Sequence, residues 1–353
     1  MKHYLFFVSV AYSYPILRPL QEEIWRRGDD VAWFIEADCP VLLHENEKWL
    51  PTVQSVMEYQ PIAVFAPGNY IYDFFPGVKV SLFHGYPINK RGDERDDHFS
   101  VRGWFDVYCT QGESSTRPFM ELEKQYGFFK VYETGWCKAD AYVKERMRTV
   151  SHNRPVVLYS TTFTKSITSA PHLYDTIERL VETKEWDWIL SFHPKFSDAK
   201  LLNKYKQLAA KHPHVTFHEG GLLDAALLNQ ADVLLSDASS VIVECMMLDK
   251  PVVTYRNTMP GNHLLNVTEV SEVESALATA IARPENLMQQ VRAYVQHHEG
   301  HLDGETSSRV LDAVNDYIWY HQGRIQTKPW NLVRKFKLRW RVGYPLMGAL
   351  NLW

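Results

Sequence analysis

Two histidines occupy matching places in the chain. An apolar run at 78–83 ends in His84-Gly85-Tyr86-Pro87, and another at 188–192 ends in His193-Pro194-Lys195. Each imidazole follows a strand-like stretch and precedes residues that stop it, so each should project beyond a strand end. Imidazole exchanges protons near neutral pH, which makes the pair candidates for acid–base chemistry. A lone histidine at a strand end is more often structural, but two at equivalent positions favour function. Lys195 can offer positive charge to a phosphate. Residues 231–255, ADVLLSDASSVIVECMMLDKPVVTY, read as a strand, a polar turn (Ser236-Asp237-Ala238-Ser239-Ser240), an apolar helix and a second strand. That turn gathers backbone N–H groups, hydroxyls and the positive end of a helix at one spot, which suits an anion and above all a phosphate. Ser and Asp also cap ordinary helices, so the turn alone does not decide the matter.

A third polar turn, Asp303-Gly304-Glu305-Thr306-Ser307-Ser308-Arg309, leads into another helix. Arg309 falls in its first turn, where a cation opposes the helix dipole. An anionic ligand would explain it; a surface pair with Glu305 would too. The charged stretch 89–97 (NKRGDERDD), with His98, offers Asp93, Asp96 and Asp97 to a metal but has no regular ligand spacing, and reads better as a solvated lid. No GxxxxGK[ST], GxSxG or GxGxxG sequence occurs, which disfavours a P-loop kinase, a serine hydrolase and a dinucleotide oxidoreductase.

These residues need elements to hold them. Strand-like runs at 3–9, 31–36, 62–66, 78–83, 107–110 and 129–133 alternate with helix-like segments at 15–28, 53–59, 115–126 and 139–148. After the polar stretch 149–155 the alternation restarts, with strands at 156–159, 188–192, 215–217, 233–235 and 252–255 and closing helices at 287–298 and 306–321. Such alternation means parallel sheets built from βαβ units. A length of 353 residues suggests two domains. The expectation is an α/β protein with domains at 1–150 and 151–325 facing a cleft, with ligands at the carboxyl ends of the strands. Four scattered cysteines without a CxxC pair read as buried thiols. A net charge of −4 argues against nucleic acid as a partner, and no window approaches the ~20 apolar residues that cross a bilayer.

The last segment, 326–353, differs in kind. It carries Lys328, Arg334, Lys335, Lys337, Arg339 and Arg341 and no acid. At helical spacing Leu332, Val333, Phe336 and Trp340 share one arc and the cations spread over the rest. A basic amphipathic helix rich in Trp suits an anionic membrane surface. Alternatively the tail packs back on the N-terminal domain with its basic face solvated.

Taken in order, the motifs resemble those of the CDP-glycerol glycerophosphotransferases, the teichoic-acid primase and polymerase family. HGYPINKRG is similar to the family's HG-x-P loop, VLYSTTF to the strand opening its donor domain, and FHP to its second histidine motif. SDASSVIVECMMLDKPVV resembles its serine-rich phosphate turn, DGETSSR its terminal Asp-Gly…Arg signature, and ETGWCKAD its Gly-x-x-Arg-x-Asp element. The resemblance implies a GT-B fold of two Rossmann-like domains. It implies catalytic roles for His84 and His193, and substrate contacts from Gly85, Lys195, Ser236, Asp237, Ser239, Ser240, Glu244 and Arg309. Departures are Ala238 for an aromatic, Glu244 for Asp, Ser191 and Lys138 for Arg, and Asn89 for Lys. The implied reaction moves glycerol phosphate, or a related phospho-alditol, from a CDP-activated donor to a hydroxyl of a saccharide or lipid-linked acceptor, releasing CMP. No cofactor is implied beyond CDP-glycerol as the donor, and no motif supports a divalent cation. The implied location is cytoplasmic, peripheral on the inner face of the cytoplasmic membrane. A GT-B glycosyltransferase using a nucleotide sugar, or a non-catalytic membrane-surface protein on the same fold, are the other readings.

Overall fold

The computed structural model describes residues 1–86, 97–148, 150, 152–219 and 223–344. Its strands are β1 (His3–Val8), β2 (Asp30–Ile35), β3 (Lys48–Trp49), β4 (Ala63–Ala66), β5 (Val78–Ser81), β6 (Val107–Thr110), β7 (Lys130–Glu133), β8 (Val156–Thr161), β9 (Asp187–Phe192), β10 (Val215–His218), β11 (Val233–Ser236), β12 (Val252–Tyr255) and β13 (Leu265–Val267). The α-helices are α1 (Tyr14–Arg26), α2 (Val53–Tyr59), α3 (Glu113–Tyr126), α4 (Cys137–Arg146), α5 (Ala170–Thr183), α6 (Ala199–Lys211), α7 (Ala225–Asn229), α8 (Val241–Met247), α9 (Val273–Ile281), α10 (Glu285–His298), α11 (Thr306–Asp316) and α12 (Leu332–Arg341).

The strands form two sheets, ordered β3-β2-β1-β4-β5-β6-β7 and β10-β9-β8-β11-β12-β13. Every pairing is parallel. Strands such as LFFV and VVLY are buried on both faces, as a parallel sheet covered by helices requires. In each sheet the strand order reverses once, between β1 and β4 and between β8 and β11. Such reversals open a crevice at the carboxyl ends of the flanking strands. Both lobes are Rossmann-like, and together they make the GT-B type architecture expected from the motifs.

The division of the chain departs from expectation. One compact unit comprises 1–85, 97–140 and 299–344; the other comprises 141–298 with Tyr86. The first boundary thus falls inside α4 rather than at 150. More consequentially, 299–325, expected with the second domain, belongs to the first lobe. The reason is packing: α11 buries Val310, Leu311 and Val314, Arg27 pairs with Asp312 at 2.6 Å, and Tyr132 donates to Asp316 at 2.5 Å.

Three short elements, β3, α7 and β13, escaped the sequence reading. β3 has two residues, and α7 has five, started by Asp224 accepting from the Leu227 N–H at 2.8 Å. The four cysteines are buried thiols, as expected.

Candidate functional site

In the second lobe the polar turn follows β11 and so sits at the point where the strand order reverses. Asp237 organises it. Its side chain is fully buried and accepts from the backbone N–H groups of Thr162 (3.0 Å), Ser169 (2.9 Å) and Ala238 (2.7 Å) and from the hydroxyls of Thr161 (2.5 Å) and Ser169 (3.0 Å). These charge-assisted bonds tie the loop after β8 to the turn after β11. Ser236 is buried as well, donating to the Ser160 carbonyl at 2.7 Å. Glu244, buried in α8, accepts from the Tyr142 hydroxyl. Ser236, Asp237 and Glu244, expected to touch substrate, are therefore engaged within the protein, because buried polar groups must be satisfied internally. The half-buried pair left at the surface is Ser239 and Ser240. Ser240 is the residue before α8 and its hydroxyl makes no capping bond, while the Ser239 hydroxyl accepts weakly from the Val241 N–H at 3.4 Å.

His193 follows β9, which lies beside β8. Its Nδ1 accepts from the Lys195 N–H at 3.1 Å, so in the neutral ring Nε2 carries the proton. The Phe163 ring lies 4.4 Å from the imidazole and 5.9 Å from the Lys195 ammonium, backing both. Thr162 and Phe163 thus link the histidine loop to the serine turn. Only their place after a buried strand could have signalled it. A small cavity of about 30 Å³ borders Ala238 and Ser239, with Asn257, His263 and Tyr294 in its wall. His263 and Tyr294 stack there at 3.6 Å.

In the first lobe His84 is exposed just past β5. Phe83 before it has φ of +55°, a left-handed conformation that costs a non-glycine residue about 1–2 kcal/mol. Packing holds it: the Phe83 ring stacks on His98 at 5.1 Å and meets Phe119 edge-on at 5.0 Å, and its carbonyl accepts from the Trp136 indole at 3.3 Å. Gly85, expected to contact substrate, has its carbonyl bound by the Gln111 amide at 3.0 Å, a supporting role. The Tyr12 ring, in the turn after β1, lies 5.4 Å from the His84 ring. No motif pointed to Tyr12; the sheet order brings it there. His98 is pushed down to about 4 by burial, with His84 nearby adding to the effect, and so is neutral near pH 7. Asp93 and Asp96 of the charged loop lie outside the described residues. Among the described residues no group of three or more His, Cys, Asp or Glu side chains is arranged to hold a metal.

Arg309 belongs to the first lobe, whereas the serine turn belongs to the second. Its partner is Asp303, gripped by both terminal nitrogens, rather than Glu305. Asp303 explains a cation in the first turn of α11, and the guanidinium holds that carboxyl below its usual range. Asp140 accepts from the N–H groups of Thr306 (3.0 Å) and Ser307 (2.9 Å). The ETGWCKAD and DGETSSR motifs are therefore joined, the first capping the helix that the second begins.

The fold is that of two Rossmann-like lobes, each with polar strand ends at the point where the strand order reverses. Residues 70–316 match the family model for CDP-Glycerol:Poly(glycerophosphate) glycerophosphotransferase. The chain belongs to that family and is a CDP-glycerol-type glycerophosphotransferase. Comparison with curated proteins by sequence gives no match. Among solved structures it is similar to a variant of the wall teichoic acid polymerase TagF soaked with CDPG, with a TM-score of 0.63 at 14% identity over 90% of this chain and 89% of that one. It is also similar to the MnaA–UDP complex of S. aureus, with a TM-score of 0.58 at 14% identity over 93% and 99%. A third is the UDP-GlcNAc 2-epimerase of Neisseria meningitidis bound to UDP-GlcNAc, at 0.57 and 13% over 90% and 100%. At these identities the likenesses establish the fold.

Proposed function

We propose that the chain transfers glycerol phosphate, or a related phospho-alditol, from a CDP-activated donor to a hydroxyl of a saccharide or lipid-linked acceptor during cell-envelope polymer synthesis. The carrying observation is the second lobe's strand ends. Asp237 fixes two loops at the reversal point, and Ser239, Ser240, Lys195 and His193 stand on or beside those loops as the groups able to donate to an anionic ligand. Phosphoryl transfer depends mostly on such positioning and charge stabilisation. The family and the TagF likeness support the donor and the polymer context.

In this reading the acceptor oxygen attacks the phosphorus that bears the glycerol, its proton passes to His84, and the phosphoanhydride bond breaks to release CMP. His193 donates through Nε2 to the donor phosphates or the departing oxygen. Arg309 contributes charge only by exchanging Asp303 for a phosphate. The chain would work on the inner face of the cytoplasmic membrane, held by 326–353 against an anionic surface, since that segment carries six cations and no acid. Among the described residues no helix is long and apolar enough to cross a membrane.

The test is a donor panel of CDP-glycerol, CDP-ribitol, and UDP- and CMP-sugars with lipid-linked saccharide acceptors, read by released nucleotide and product mass. CMP with a mass gain of one phospho-alditol supports the proposal. Turnover of a nucleotide sugar alone would replace it with the glycosyltransferase reading. Vesicle binding with no turnover of any donor would favour a non-catalytic surface protein.

A further inference from the structure

The tail does not lie on the first lobe as its sequence suggests. Arg339 is buried and donates to Asp73 at 2.8 Å, its guanidinium over the rings of Phe74 (5.4 Å) and Tyr344 (5.7 Å). Phe74 and Tyr344 stack at 4.0 Å. Arg341 pairs with Glu36, which also accepts from Tyr70 and Tyr72. Lys328 pairs with Asp106 at 2.7 Å, and Leu338 and Val342 pack against the lobe's core. With Lys335 3.9 Å from Asp73, four of the six cations pair with carboxylates of the lobe and act as fasteners. The apolar arc is turned outward: Leu332 is 66% exposed, Val333 69%, Phe336 45% and Trp340 75%, with Trp330 at 76% just before the helix.

We infer that this outward face of α12, together with Trp330, is the surface that enters the headgroup–acyl boundary of a lipid membrane. The inference rests on the membrane reading above and changes its physical basis from charge attraction to apolar insertion. Three observations commit the face to lipid. Its aromatics are Trp and Phe, with Trp the residue that settles at a membrane–water boundary, where an apolar ring and an N–H both find partners. Arg334 and Lys337 lie exposed beside the arc and pair with no carboxylate among the described residues, so the rim is positive where phosphate headgroups would meet it. No Asp or Glu occurs from Tyr317 onward to oppose it. A helix whose cations were its membrane contacts would present the opposite face.

The experiment is co-sedimentation of the full chain with phosphatidylcholine vesicles and with mixed phosphatidylcholine–phosphatidylglycerol vesicles, at low and high salt, with sedimentation equilibrium alongside. Wild type should bind both compositions and keep most of its binding to neutral vesicles at high salt. The double variant Phe336→Ser, Trp340→Ser should lose at least about tenfold on both, the size of effect expected from burying two aromatic rings. Arg334→Gln with Lys337→Gln should lose only the added affinity for the anionic mixture. If the double serine variant binds like wild type while salt abolishes wild-type binding, this inference fails and the charge-driven membrane reading stands. If wild type binds neither vesicle, both fail. Self-association of wild type that the serine variant abolishes would assign the face to a second copy and overturn the inference.

Discussion

The two histidine strand ends are held by opposite means. His84 is aimed through the backbone: a left-handed Phe83, gripped by His98, Phe119 and Trp136, swings it out of the first sheet. His193 is aimed through its own ring, because the Lys195 N–H fixes Nδ1 as acceptor and Nε2 as donor. A group meant to hold one protonation pattern toward a ligand gains from a fixed tautomer. A group meant to take a proton gains from a fixed position. The difference fits His193 with the donor phosphates and His84 with the acceptor hydroxyl.

The comparison can be broken most directly at the imidazoles. His84→Ala and His193→Ala should each reduce turnover by more than about a hundredfold, the usual weight of an acid–base group; near-normal rates in both would end the mechanism. Next in size is Asp237→Asn. An amide there turns an N–H group toward a cluster of buried donors, so unfolding free energy measured in urea should fall by about 3 kcal/mol. An unchanged midpoint would mean the carboxylate does not fasten the two loops. By contrast Ser240→Ala should leave that midpoint alone and raise the KM for the CDP donor about tenfold, since its hydroxyl makes no capping bond.

Acid should separate the lobes. Burial pushes His98 in the first lobe, and His263 and His298 in the second, down to about 4. Their folded values lie below the ordinary 6.5, so between pH 6.5 and 4 the unfolded chain binds more protons and stability falls as pH falls. Each histidine contributes up to about 1.4 kcal/mol per pH unit across that window. The second lobe carries two of the three, so hydrogen exchange on acidification should rise there first; equal or reversed labilities would contradict the burial of these rings. The smallest effect belongs to Asp303→Ala. Its pair with Arg309 is partly exposed, so stability should move by less than about 1 kcal/mol. A larger loss would show that the pair fastens α11 to the lobe.

Much of this was legible in the chain. β6, β12 and α2 run over the residues their patterns predict, and the remaining long strands differ by one or two at an end, because buried parallel strands and their polar stops are local signals. The motifs singled out the two histidines and the half-buried serines. They could not tell which polar residues of the turn face inward. Asp237 takes its partners from Thr161, Thr162 and Ser169, which no local pattern links to it. For the tail, periodicity separates an apolar face from a basic one but does not say which points out. That is settled by Asp73 and Glu36, some 270 and 300 residues earlier in the chain.

The discontinuity of the first lobe has a consequence for how the chain is made. Residues 141–298 are consecutive, so the second lobe holds its whole sheet as soon as that stretch leaves the ribosome. The first lobe begins earlier but waits for α11, whose Val310, Leu311 and Val314 complete its packing and whose first N–H groups Asp140 is already placed to receive. The order of synthesis is therefore inverted in the order of closure. The segment that emerges first spends the longest time with an uncovered helix surface, and transiently exposed apolar surface of that kind is prone to aggregate.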